Sequence, residues 1–260
     1  MNYIENVAGG ADILFPIDLI DYFCYRHVMV DPLDKNIYAP YQRLVDYAID
    51  ALKDLGRDPV LLDAGCGHST ALEEQYKRCG KVIGVDMDRK ALNRNVLIDT
   101  KVFADMTNVP LPDDSVDIIV SAWVLEHVEK PEIFIKECDR LLRSGGYFIF
   151  IAPNVDGWYA VLASEIPYFI HEFFTKLLYK RGEGDTYKAY YRLNSEEDMD
   201  RYLVEDHKYT KIKYVYNDDP RYIGFTIFTR PLAWLWQKIV MMKRMEKFRL
   251  HVIGLYKKPS

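Results

Sequence analysis

Between Tyr38 and Leu55, apolar residues recur at three- and four-residue intervals: Leu44, Val45, Ala48, Ile49, Leu52 and Leu55. That is the stripe of an amphipathic helix, and Gly56 and Pro59 stop it. The pattern then changes period. Val60-Leu-Leu-Asp63 is too short for a helix and opens onto the glycine-dense turn Ala64 to Ser69, so a strand followed by a loop is predicted. Helical spacing resumes from Ala71 to Arg78. Further strands are predicted at Lys81–Asp86, Lys101–Asp105, Val116–Ser121 and Tyr147–Ala152. Before the last of these, Pro131 to Leu142 carries a helical stripe of Ile133, Phe134, Cys138, Leu141 and Leu142, with Gly145-Gly146 expected to close it. Strands alternating with helices at this interval predict parallel pairing, because a parallel crossover needs a dozen or more residues. The expected fold class is α/β, a Rossmann-like doubly wound sheet.

The alternation breaks after Asn154. Trp158 to Tyr191 holds ten aromatics in 34 residues, about twice the chain average, and reads as an insertion. Ser195-Glu-Glu-Asp198 resembles a capping box that restarts a helix through Met199, Tyr202 and Leu203. Lys211–Tyr216 and Phe248–Tyr256 are predicted strands whose separation allows an antiparallel pair at the sheet edge, with a second insertion at 220–247 between them. The expected organisation is an N-terminal helical cap (1–58), a core (59–153), an aromatic lid (154–194) and the remainder of the sheet (195–260).

Charge changes this picture at one end only. The chain of 260 residues carries a net charge of −5, which argues against a nucleic-acid partner. Arg230 to Ser260, however, holds eight basic residues against Glu246 alone, leaving the rest of the chain acidic. Within it, a helix starting at Pro231 would align Leu232, Leu235, Trp236, Ile239 and Met242 on one face with lysines and arginines flanking. Segment 231–247 could lie on an anionic membrane, receive a lipid-like acceptor, or pack onto the domain or a dimer partner. The polar residues of Tyr222–Met242 argue against a membrane span. Cys24, Cys66, Cys79 and Cys138 form no C-x-x-C pair and read as reduced thiols, and no Asp/His cluster indicates a metal. Met1 to Val7 shows no secretory signal, so a cytoplasmic location is expected.

The candidate chemistry lies in the first crossover. Gly65 and Gly67 follow the first strand, where glycine lets a ligand approach main-chain N–H groups and a helix N-terminus. Asp86 stands 19 residues after Gly67 at the end of the second strand, where a carboxylate can accept hydrogen bonds from both hydroxyls of a ribose. Thr70 occupies the place of the third glycine of a dinucleotide fingerprint, which disfavours NAD and with it an oxidoreductase.

Five ordered blocks resemble the class I S-adenosylmethionine-dependent methyltransferases, in particular the small-molecule group that includes the ubiquinone and menaquinone C-methyltransferases. They are Val60 to Gly67, Val82 to Asp88, Phe103 to Met106 with Pro110 to Asp117, Ser121 to Val128, and Leu141 to Gly146. Ser69 departs from the third glycine that many members have. The resemblance implies S-adenosylmethionine as cofactor. Gly65 and Gly67, with Ala64 and Cys66 between and beside them, would line its methionine part. Asp63 would lie near its amino group, Asp86 would hold the ribose and Met87 would pack on adenine. Asp105 would receive the adenine amino group beside Met106, and Ser121 and Ala122 would face the sulfonium, with His127 at the next turn. Each has a plainer alternative: Asp63 capping the loop, Met87 in the core, Asp105 in a turn with Thr107.

A base is needed only if the acceptor carries a proton. The candidates are His127, His171, Tyr190 and Tyr191. The stretch Asp185 to Arg192 resembles methyltransferases of glycan or lipid-linked sugar assembly. The expected function is methyl transfer to a small or lipid-linked acceptor, first an oxygen of a sugar or hydroxylated metabolite. The alternatives are carbon methylation of a quinone-like ring and a non-catalytic cofactor-binding partner.

Overall fold

The computed structural model describes residues 36–158, 160, 188–223 and 228–260. Seven strands form one sheet: β1 (Val60–Ala64), β2 (Lys81–Asp86), β3 (Thr100–Phe103), β4 (Val116–Ala122), β5 (Leu142–Pro153), β6 (Thr210–Asn217) and β7 (His251–Lys257). Their order is β3-β2-β1-β4-β5-β7-β6. The first five are parallel, while β7 runs antiparallel between β5 and β6. The predicted antiparallel pair is therefore present, with β6 as the outer strand.

Both faces of the sheet are covered at its centre, where β1, β4, β7 and the paired part of β5 bury nearly every residue in alternate directions. Leu61, Ile118, Val120, Ile149, Ile151, Ile253 and Leu255 face one side, against Tyr41, Val45, Ala48, Ile49 and Leu52 of helix α1 (Ala39–Lys53). Leu62, Ile119, Phe148, Phe150, Val252 and Tyr256 face the other, against Phe134, Ile135, Cys138 and Leu141 of α4 (Pro131–Leu141). Two short helices, α2 (Glu73–Tyr76) and α3 (Arg89–Arg94), complete the crossovers around β2. The capping box is formed: Ser195 Oγ accepts from the Asp198 amide at 3.1 Å and opens α5 (Glu196–Met199). That helix continues as a wider π-type turn through Asp206.

Two expectations require correction. Gly145 and Gly146 do not close α4 but lie inside β5, which begins at Leu142. The last carbonyls of α4, those of Arg140 and Leu141, accept from the Asp114 and Ser115 amides, so the helix needs no glycine cap. Ile133, read as part of the apolar stripe, is exposed on the outer side of α4. The lid segment 161–187, with His171, and the first 35 residues of the N-terminal cap, with Cys24, lie outside the described residues.

Candidate cofactor and acceptor site

Neighbours in register bring the strand ends together. Ala64 sits opposite both Val85 and Ser121, and Ala122 sits opposite Ile151, so the carboxyl ends of β1, β2, β4 and β5 share one rim. The chain winds leftward from β1 and rightward from β4, which makes this rim the switch point of the sheet, where open α/β folds bind ligands.

The β1 loop turns through two left-handed glycines, Gly65 at φ +74° and Gly67 at φ +51°. A Cβ at Gly65 would meet Val124 Cγ2 at 2.3 Å, whereas at Gly67 it would meet no protein atom within 4 Å. The first glycine is thus required by the protein's own packing, and the second faces open space. Asn95 Nδ2 donates to the carbonyls of Cys66 and Gly67, both at 3.2 Å, and holds the turn from the side. Asp86 Oδ2 accepts from the Gly67 amide at 2.7 Å and its Oδ1 from the Asp88 amide at 2.6 Å. Asp88 in turn caps α3 through the amides of Lys90 and Ala91.

Asp63 is buried at the base of this loop, where it accepts a hydrogen bond from the Tyr76 hydroxyl. Burial pushes its carboxyl up to about 7; the Tyr76 bond works against the rise and the nearby Asp86 charge adds to it. The fully buried Tyr41 has its pKa raised by burial, and the nearby Asp63 charge adds to the rise. Cys66 is buried with its thiol pushed up by desolvation, which keeps it protonated and inert. Met87 is 60% exposed beside the rim, so it is not a core residue. Asp105 is exposed and makes the predicted turn, its Oδ1 accepting from the Thr107 amide and hydroxyl, both at 2.8 Å; Met106 beside it is buried.

Beyond β4 the backbone is strained. Trp123 adopts φ +60°, a conformation that costs a bulky residue about 1–3 kcal/mol and persists only where neighbours enforce it. They do: its amide donates to Ile151 O at 3.0 Å, its indole Nε1 donates to Tyr38 Oη at 3.0 Å, and its ring lies edge-on to His251 at 5.0 Å. His251 is fully buried, and desolvation lowers it to about 4, so it is neutral at ordinary pH. The following turn, Leu125–His127, receives the chain that returns from the insertion. The Tyr190 and Tyr191 amides donate to Glu126 O at 2.6 and 3.1 Å, and His127 Nδ1 lies 3.1 Å from Lys188 O. Because a carbonyl only accepts, Nδ1 carries the hydrogen and Nε2 is the basic atom of that ring. The Tyr190 ring has Lys188 Nζ at 4.6 Å and the Arg192 guanidinium at 5.5 Å. The Val155 amide donates to Asn194 O at 3.2 Å, so the insertion leaves and rejoins the core at one point above β5.

A sequence profile of the family described as "Methyltransferase domain" matches residues 62–150, which span this loop and rim. A protein of Mycolicibacterium smegmatis named "Probable S-adenosylmethionine-dependent methyltransferase" is 36% identical over 118 residues, 44% of this chain and 42% of its own length. A ubiquinone biosynthesis O-methyltransferase of Idiomarina loihiensis is 31% identical over 108 residues, 38% of this chain and 44% of its own. A solved S-adenosylmethionine-dependent methyltransferase from Mesorhizobium loti shares the fold with a TM-score of 0.56 at 16% identity, over 87% of this chain and all of that one. The chain carries a methyltransferase domain at residues 62–150. It spans less than half the length of those two curated relatives.

The donor set of the methyltransferase domain fits the cofactor. An ionised carboxylate offers about four acceptor positions. Asp86 uses two of them on the Gly67 and Asp88 amides, which fixes its orientation and leaves two for a diol. The open side of Gly67 is free of protein atoms within 4 Å of a Cβ built there, space that a side chain would enter. Sequence reasoning missed Tyr76, which bonds Asp63, and Asn95, which holds the loop, together with Trp123 and His251, which pack on each other beyond β4. Only Trp123 lay in a matched block; the others come from elements whose meeting no local pattern announces.

Proposed function

We propose that the chain transfers a methyl group from S-adenosylmethionine to an oxygen of a small or lipid-linked acceptor, such as a sugar or another hydroxylated metabolite. The observation that carries this reading is the Asp63–Gly67 loop with Asp86 in register beside it, one face of Gly67 left open. When bound, the cofactor supplies an electrophilic methyl on a cationic sulfur. Asp86 would hold the ribose, Gly65 and Gly67 with Ala64 and Cys66 would line the methionine part, and Asp63 would face its ammonium group. Met87, Asp105 and Met106 would border adenine, and Ser121 and Ala122 the sulfonium. Little covalent help is then needed, because alignment in a water-poor pocket supplies most of the acceleration.

His127 would take the acceptor's proton at Nε2, its Nδ1–H being held by Lys188 O. Tyr190, and His171 from the lid, are the further candidates. Similarity to ubiquinone O-methyltransferases over 38% of this chain supports oxygen as the acceptor atom. The test is an acceptor screen with isotopically labelled methyl donor on the full chain, run with Asp86→Ala and His127→Ala. Asp86→Ala is expected to lose cofactor binding, and His127→Ala to lose turnover while keeping it. Transfer to carbon nucleophiles alone would overturn the oxygen assignment, and no transfer to glycans, phenols or quinone precursors would favour a non-catalytic cofactor-binding role.

A further inference from the structure

The last helix, α6 (Arg230–Val240), is inverted relative to an ordinary surface helix. The residues it buries are Ala233, Gln237 and Val240, with Trp236 half-buried beside them. Other large apolar side chains of the helix, and the two methionines that follow it, point outward: Leu232 is 59% exposed, Trp234, Leu235 and Met242 each 52%, and Met241 47%. A helix normally buries that row, so this face is one of the arrangements that mark a contact surface.

The face is held rigidly. Gln237 donates to Asp218, the Trp236 ring packs edge-on to Trp158 at 5.3 Å, and the Arg249 guanidinium donates to Val240 O, Met241 O and Tyr216 O at 3.0–3.2 Å. These contacts fix the helix to β6 and turn Leu232, Leu235 and Met242 away from the body. Exposed cations accompany this row: Lys238 stands within it, its Nζ 3.5 Å over the Trp234 ring, and Lys243, Arg244 and Lys247 are exposed in the turn that follows the helix. Of the four occupants open to the sequence, the described part of the domain takes the side of Ala233, Gln237 and Val240 and leaves this row exposed.

We infer that the outer face of α6 and the basic turn after it dock on an anionic lipid bilayer, with Leu232, Trp234, Leu235 and Met242 entering the interfacial layer and the cations meeting lipid phosphates. A helix face of aromatic and aliphatic residues with a lysine among them and a basic turn at its end has this chemistry. At 11 residues α6 is about 16 Å long, against about 30 Å of hydrocarbon, and no described helix is long and apolar enough to cross a membrane. The inference is independent of methyl transfer.

The experiment is co-flotation of the full chain with vesicles of phosphatidylglycerol and phosphatidylcholine, against phosphatidylcholine alone, followed by tryptophan fluorescence. Binding is expected only to the anionic vesicles, with a blue shift, and is expected to weaken as ionic strength rises. Because each basic residue near such a surface contributes roughly a fivefold factor, Lys243→Gln/Arg244→Gln should weaken binding about 25-fold. Trp234→Ser/Leu235→Ser should abolish it without lowering the thermal midpoint, since both side chains are exposed. Equal binding to neutral vesicles, no binding to either, or a soluble dimer that Leu235→Glu dissociates would each overturn the inference.

Discussion

Asp63→Asn separates the site's function from its stability, because the two respond in opposite directions. The buried carboxyl is pushed up to about 7, so in the free protein it is partly protonated near neutrality. If the ionised form receives the cofactor's ammonium group, affinity should follow its ionised fraction. That fraction rises from about a tenth at pH 6 to about a half at pH 7, so affinity rises roughly fivefold over that step. Isothermal titration with S-adenosylhomocysteine on the native chain should show this slope. On Asp63→Asn it should be flat and, at pH 7, weaker by about tenfold or more, the scale of one charge-assisted hydrogen bond. His68→Gln, in the exposed part of the same loop, should keep the slope. Stability moves the other way. A carboxyl whose folded pKa is raised contributes stability that is present below its unfolded value of 3.8 and lost as pH rises through about 7. At pH 8 Asp63→Asn should therefore stabilise the free protein, by at most about 4 kcal/mol. A slope surviving in the variant, or a variant less stable at pH 8, would refute the reasoning.

Gly67→Ala should lower stability by only about 1–2 kcal/mol, the cost of a left-handed conformation in open space, yet weaken cofactor binding at least tenfold, as titration calorimetry would show. Gly65→Ala should fail earlier, through its collision with Val124, and appear as a fall in thermal midpoint. His251, held neutral by burial with a pKa of about 4 against 6.5, should withdraw stability as pH falls from about 6.5 to about 4, by about 3 kcal/mol in all. Asp63 acts with the opposite sign over that range, so the loss should be visible in Asp63→Asn by acid titration of its thermal midpoint and absent once His251→Asn is added.

Much of the fold was legible because helices and strands write their burial into the chain at fixed periods. The runs at Val60, Lys81, Val116 and Tyr147 became β1, β2, β4 and β5, and the stripe from Leu44 to Leu52 became the buried side of α1. Gly65, Gly67 and Asp86 could be picked out because their roles are local: a turn needs its glycine and a strand end places its acid. Tyr76 could not, since it reaches Asp63 from a separate helix and its position has no distinguishing neighbour. His251 is likewise ordinary in sequence, and becomes buried against Trp123 only because β7 enters between β5 and β6.

From the chain alone came the period of each element, the parallel order it implies and the loop chemistry of the first crossover, all properties of residues close in sequence. Tertiary structure decided where distant side chains meet. It set Asp63 among tyrosines in a medium where a carboxylate is costly to ionise, and it chose which side of α6 faces the body. An amphipathic pattern states that a helix has two faces, while only the surface it lands on determines which one is buried.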